Sequence, residues 1–127
     1  PIGGKIFAYH FDENNIPEKR FPTLKELDRI FPEIPLILRR VDGHSCVINS
    51  AAAKAITWEK PLPDNFNGYL NKRENGIVSN WFHKNLSNEG ILRAYQKAAE
   101  IALQNGITTV HTMVGDGDKE ILHYELL

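Results

Sequence analysis

The sequence predicts an α+β fold, a small roll-like sheet of β-hairpins packed by short helices and followed by a helix-strand piece. Three features carry that expectation: a capped helix start at Thr23, an Asp42-Gly43 turn between two β-rich runs, and a long amphipathic stretch over Asn88–Gln104. Each marks a different kind of local structure, so strands and helices share one short chain.

Residues 5–11 partly alternate, with Ile6, Ala8 and His10 on one side and Phe7, Tyr9 and Phe11 on the other, which predicts a strand covered on at least one face. The turn formers of residues 12–17 end it. Thr23 and Glu26 are spaced as a capping box, the threonine hydroxyl accepting from a first-turn N–H while the glutamate reaches back to the cap residue. A helix over residues 24–31 follows, with Leu24, Leu27, Ile30 and Phe31 as its apolar face and Pro32 as its stop. That face needs a sheet to dock on.

Residues 36–41 and 45–49 flank Asp42-Gly43, a dipeptide that predicts a hairpin with a type I′ turn, in which both central residues take positive φ. Asn49 or Ser50 can cap a helix through Ala51, Ala52, Ala53, Lys54, Ala55 and Ile56. Residues 61–68, rich in Pro, Asn and Gly, form a loop or linker. A second hairpin is expected around Asn75-Gly76, between arms 69–72 and 77–79.

In Asn88–Gln104 the residues Ile91, Leu92, Tyr95, Ala98, Ala99, Ala102 and Leu103 make one apolar stripe, with Gly106 placed for a left-handed cap. Ile107, Thr108, Thr109 and Val110 read as a strand behind it, so the pair is half of a βαβ unit lacking its sheet neighbours. Residues 115–118 make a turn before a short terminal amphipathic piece. No repeat or low-complexity tract interrupts the chain.

The chain has 127 residues, enough for one domain with a real core and too few for a (β/α)8 barrel of about 250. With 15 basic and 16 acidic residues the net charge is −1, so no long-range field gathers nucleic acid or an anionic membrane. No apolar run reaches the ~20 residues of a membrane span, and the first residues lack a secretory signal. A cytoplasmic location is expected, the single cysteine giving no sign of an oxidising compartment. The missing initiator Met points to a piece excised from a longer chain.

Ionisable groups concentrate at the Asp42-Gly43-His44-Ser45 turn, led into by Arg39 and Arg40. A tip held by two strands can present a histidine as donor or acceptor and an arginine as a carboxylate clamp. Arg40, Asp42 and His44 are therefore candidate substrate-binding residues, against the plainer reading of a solvated turn. His111, directly behind an expected strand, is a fourth. The five histidines, His10, His44, His83, His111 and His123, show no spacing that makes a zinc site, so no metal ligand is assigned. Cys46 beside His44 is only a sequence neighbour, and a cysteine in a Val-Ile run is usually a small buried group. No catalytic residue is assigned. Asp116 and Asp118 lack the remaining ligands of a calcium loop. Trp58 and Trp81-Phe82 are core candidates that would mark an interface if exposed.

The run from Pro22 to Pro32, then Pro35, Leu36, Ile37, Leu38 and Arg39-Arg40-Val41-Asp42-Gly43-His44-Ser45 with Val47-Ile48-Asn49-Ser50, resembles the insertion segment of the large metal-dependent amidohydrolases of the amidohydrolase 3, or YtcJ-like, group. Asn105-Gly106-Ile107-Thr108-Thr109-Val110-His111-Thr112-Met113 is similar to that group's return into its (β/α)8 barrel, with Thr112 where an Asp commonly follows the His. The resemblance implies that residues 1–86 are a substrate-covering insertion and that residues 87–127 are a helix-strand segment of a truncated barrel, the two forming a single compact unit. It also implies a parent that hydrolyses C–N bonds of small molecules with a divalent, zinc-type metal. The His-x-His pair that opens such metal sites is absent here. The chain would then be a non-catalytic fragment, inactive alone, partnered by the rest of its barrel or by copies of itself through surface bared by truncation. The competing expectation is a free-standing module that binds a small ligand or a protein.

Overall fold

A computed structural model of the protein describes residues 4–84 and 87–111, in two compact units, Pro1–Asn85 and Leu86–Leu127. The first is built on a mixed four-stranded sheet in the order β1 (Ile6–Phe11), β2 (Leu36–Arg40), β3 (Ser45–Ile48) and β4 (Tyr69–Asn71). The α+β class is thus observed. β1 runs parallel to β2, while β2 with β3 and β3 with β4 are antiparallel.

A parallel neighbour requires a crossover, and α1 (Leu24–Ile30) provides it. The capping box is formed: Glu26 N donates to Thr23 Oγ1 at 3.3 Å, and Thr23 N donates to Glu26 Oε2 at 2.7 Å. Leu27 is buried with Leu36 of β2 and Val47 of β3, and Ile6, Phe21 and Phe31 pack around them. Ile30, expected on this face, is 65 % exposed, because seven helical residues present less than two turns and Leu27 fills the contact. α2 (Ser50–Ala55) starts at Asn49 and is tied to α1 through Asp28, whose carboxylate accepts from Ser50 N at 2.8 Å and Ser50 Oγ at 2.7 Å.

The β2–β3 hairpin pairs Leu38 with Val47 and Arg39 with Cys46. Its turn is not type I′, since of its residues only Gly43 has positive φ, +75°. Gly43 N donates to Arg40 O at 2.9 Å, so a turn over residues 40–43, with glycine in the left-handed position, lies within a four-residue loop, residues 41–44. This loop type needs one positive φ instead of two, which leaves Asp42 free to accept from His44 N at 2.9 Å.

The second hairpin expected around Asn75-Gly76 does not exist. Residues 72–83 form α3 (Lys72–His83), and β4 adds to the outer side of β3. Asn75, Val78 and Phe82 repeat at helical spacing and are all buried, against weakly alternating polar arms that offered a strand no apolar face. β3 is buried on both sides, Val47 toward α1 and Cys46 and Ile48 on the opposite face of the pleat. Phe82 is thus core, while Trp81 is half-buried with the Lys5 ammonium 3.9 Å from its ring centroid.

The second unit contains α4 (Asn88–Gln104), with Gly106 at φ +75° behind it, as the sequence predicts, and at its start Ser87 Oγ accepts from Gly90 N at 3.1 Å. The strand expected over 107–110 is not formed among the described residues. Ile107 is 49 % and Val110 70 % exposed, and β-propensity alone makes no strand without a neighbour to pair with. The turn at 115–118, the terminal piece and His123 lie outside the described residues.

Candidate functional site

The hairpin tip is fixed by an ion cluster that spans 27 positions of sequence. Arg40 Nε donates to Glu13 Oε1 and Oε2 at 3.1 and 3.0 Å, its Nη2 reaches Glu13 Oε1 at 2.8 Å, and its Nη1 bonds Asp42. Glu13 is delivered by a 3-10 turn, Glu13–Asn15, capped by Asp12, whose Oδ1 accepts from Asn14 N at 2.9 Å. The chain swings into that turn where the β1–β2 register shifts between Ala8 and Phe11, with His10 at φ +64°. Hydrogen bonding from Arg40 holds the Glu13 carboxyl below the usual range. Asp42 is lowered too, chiefly by the His44 backbone N–H and secondly by Arg40.

Beside this cluster opens a groove of about 360 Å³, lined by Glu13, Phe21, Arg40, Asp42, His44, Ser45, Tyr69, Asn71 and Lys72. The structure therefore brings Arg40, Asp42 and His44 together on one wall. Arg40 is held by two carboxylates, so its guanidinium acts first as the clasp of the tip. Phe21 supplies an apolar wall and meets Tyr69 edge-on, ring centroids 5.2 Å apart. His111 belongs to the second unit and is exposed.

Sequence reasoning missed Glu13, Ser45, Asn71 and Lys72. Glu13 stood among turn formers, and Asn71 and Lys72 were assigned to a hairpin arm. A signal for Glu13 existed: an arginine leading into a turn needs a carboxylate partner, and the acidic Asp12-Glu13 pair ends the strand that lies beside Arg40.

A larger groove, about 500 Å³, runs along the α2–β4 connection and α3, with Trp58, Leu62, Phe66, Tyr69 and Ile77 on its walls and the Glu59–Arg73 ion pair at its edge. Trp58 is half-buried, its Nε1 donating to Ala53 O at 2.8 Å. Cys46 is fully buried, and burial pushes its thiol up to about 12, which leaves it neither thiolate nor nucleophile. Among the described residues no three His, Cys, Asp or Glu side chains are grouped to hold a metal ion, so the residues here do not fit one. No described helix is long and apolar enough to cross a membrane.

The profile of the amidohydrolase family matches residues 2–126, nearly the whole chain. The chain belongs to the amidohydrolase family. Within that family it is 35 % identical over 76 residues to the YtcJ protein of Bacillus subtilis (strain 168), which carries an amidohydrolase name; the match covers 60 % of this chain and 14 % of YtcJ. The fold is similar to that of a metal-dependent hydrolase of Pyrococcus horikoshii OT3, at 22 % identity and TM-score 0.70 over 98 % of this chain and 25 % of that one. It is also similar to a metal-dependent hydrolase of Pyrococcus furiosus, at 26 % identity and TM-score 0.68 over 97 % of this chain and 26 % of that one. The chain thus spans about a quarter of the solved hydrolases it matches, and the match to YtcJ covers less of that protein.

Proposed function

We propose that this chain is the substrate-covering insertion of a metal-dependent amidohydrolase, residues 1–86, continued by a segment, residues 87–127, that leads back into the parent barrel. On this reading the parent hydrolyses C–N bonds of small amide-type molecules, and the chain contributes substrate contacts and water exclusion but no metal ligand. The observation that carries it is the family match along residues 2–126 of a chain whose hairpin-tip groove gathers Arg40, Asp42 and His44. A cover acts by orienting substrate and keeping water from the reacting centre, so removing one of its contacts lowers turnover without emptying the metal site.

The test is kinetic and uses the intact parent enzyme. His44→Ala at unchanged metal content is expected to lower kcat/KM by about tenfold, the equivalent of one hydrogen bond lost from the transition state. An unchanged kcat/KM for the true substrate would reduce His44 to a turn residue and remove the covering role.

A further inference from the structure

The chain holds three Asn-Gly pairs, Asn67-Gly68, Asn75-Gly76 and Asn105-Gly106, and the structure sets them apart. In this dipeptide an asparagine side chain cyclises readily onto the following backbone nitrogen, because glycine has no side chain to hinder the approach. The reaction needs an accessible nitrogen and room for a five-membered ring. Asn75 offers neither: it is 6 % exposed, Gly76 lies inside α3, and Asn75 Nδ2 donates to Gly43 O at 3.1 Å. At Gly68, itself buried, the carbonyls on both sides of the reacting nitrogen are taken, Asn67 O by Leu24 N at 2.7 Å and Gly68 O by Ile48 N at 3.0 Å. Ile48 O and Leu24 N would crowd a Cβ there to 2.8 and 3.0 Å, so that segment has no room to swing. Asn105 and Gly106 are both exposed, and a Cβ at Gly106 would meet nothing within 4 Å. Two local bonds hold the pair, Asn105 Nδ2 to Ile101 O at 2.8 Å and Gly106 N to Leu103 O at 3.0 Å. Both belong to the last turn of α4, a helix with no buried residue, so they open whenever its end frays.

We propose that Asn105 is a spontaneous modification site, where deamidation through a cyclic imide converts the C-cap residue of α4 to aspartate and isoaspartate. Once hydroxide has taken the Gly106 amide proton, the nitrogen bonds to Asn105 Cγ, and the Cγ–Nδ2 bond breaks as ammonia leaves. Water then opens the imide. Attack at the former side-chain carbonyl gives aspartate, and attack at the main-chain carbonyl gives isoaspartate, whose backbone runs through the β-carbon. One water enters, one ammonia departs, and nothing is oxidised or reduced. Either product removes the amide donor to Ile101 O and puts a carboxylate at the negative end of the helix, while isoaspartate also lengthens the chain by one methylene ahead of residue 107. The site does not depend on the covering role proposed above.

The test incubates the full 127-residue chain, folded, in mildly alkaline buffer and then digests it with trypsin, which leaves the three Asn-Gly pairs on separate peptides. Mass spectrometry follows the replacement of amide NH2 by OH in each peptide, and electron-transfer fragmentation tells isoaspartate from aspartate. Asn105 is expected to convert first, with isoaspartate among its products, while Asn67 and Asn75 keep their amides severalfold longer. In denaturant the three rates should converge, since packing alone separates them. Gly106→Ala should slow conversion at residue 105, because its methyl group hinders the attacking nitrogen, and leave Asn67 and Asn75 unchanged. Conversion of Asn67 or Asn75 in the folded chain as fast as that of Asn105 would overturn the site. So would an Asn105 amide that survives in the folded chain as long as theirs, or three rates that stay equally far apart in denaturant.

Discussion

Asn75 reaches across from α3 to the hairpin tip, its Nδ2 donating to the Gly43 carbonyl at 3.1 Å. The same carbonyl accepts Arg39 Nε at 3.1 Å and Arg39 Nη2 at 2.9 Å, so one turn oxygen joins β2, the tip and α3. Two residues that each signal a turn in sequence are thus partners in space.

Asn75→Ala tests that strap. The Gly43 oxygen stays satisfied by Arg39, so the loss is confined to one hydrogen bond and the packing of a side chain that is 6 % exposed. About 1–2 kcal/mol of destabilisation is expected, read as a lower denaturant midpoint at unchanged slope. Amide exchange at His44 and Ser45 should quicken at the same time; a midpoint equal to that of the parent chain would show that the strap contributes nothing.

Gly43 and Gly68 separate two costs of replacing glycine. A Cβ at Gly43 meets nothing nearer than Arg39 Nε at 3.9 Å, so Gly43→Val is penalised by φ +75° alone, by roughly 1–2 kcal/mol, and Gly43→Asn by less. At Gly68, φ is +99° and a Cβ would lie 2.8 Å from Ile48 O, 3.0 Å from Leu24 N and 3.0 Å from Val47 Cγ1. Backbone cannot yield there as a side chain can. Gly68→Ala should melt well below Gly43→Val, and the reverse order would contradict the packing of residue 68 between β3 and the start of α1.

The elements that were legible in sequence are those whose cause is local. Thr23 and Glu26 sit three residues apart and complete their own hydrogen bonds, and α4 ends at a glycine that supplies its own left-handed φ. What sequence withheld depends on distant partners. Asn75-Gly76 carries a turn signal, yet the buried side of α3 and the Gly43 carbonyl offer residue 75 more than a hairpin of polar arms would. The candidate site shows the same division. Arg40, Asp42 and His44 were visible because a turn gathers them, while Glu13 and Lys72 arrive at the groove from elements whose placement follows from parallel pairing of β1 and from α3.

Acid should weaken the fold through its clasped carboxylates. Glu26 is held far below the usual range, first by hydrogen bonds from Arg20, and Glu13 and Asp42 are also lowered. Because the folded-state values are depressed, the unfolded chain binds more protons as pH drops below about 4.5, so the stabilisation present at neutral pH is lost progressively on further acidification. Glu26→Gln preserves the geometry of the capping box but removes the charge. Melting temperatures followed from pH 7 downward should fall less steeply for this variant than for the parent chain, and parallel profiles would exclude Glu26 as a contributor.

Asn49 is the position where a single atom change should be most damaging. It is fully buried, and its amide uses all four of its hydrogen bonds: Oδ1 accepts from Leu36 N and Ala52 N, both at 2.9 Å, and Nδ2 donates to Phe31 O at 2.7 Å and Ile34 O at 2.8 Å. It therefore caps α2, starts β2 and closes the end of α1 at once. Asn49→Asp preserves the shape and the cap acceptor, but replaces the donor by an oxygen facing two carbonyl oxygens in a fully buried site. A buried charge is avoided only by protonation, which restores one donor of the two. Asn49→Asp should cost about 3 kcal/mol or more near neutral pH and recover partly on acidification, opposite in sign to the Glu26 effect. Denaturation of this variant at two pH values decides the matter: equal stability to the parent chain at neutral pH would mean that the four bonds do not hold the three elements together.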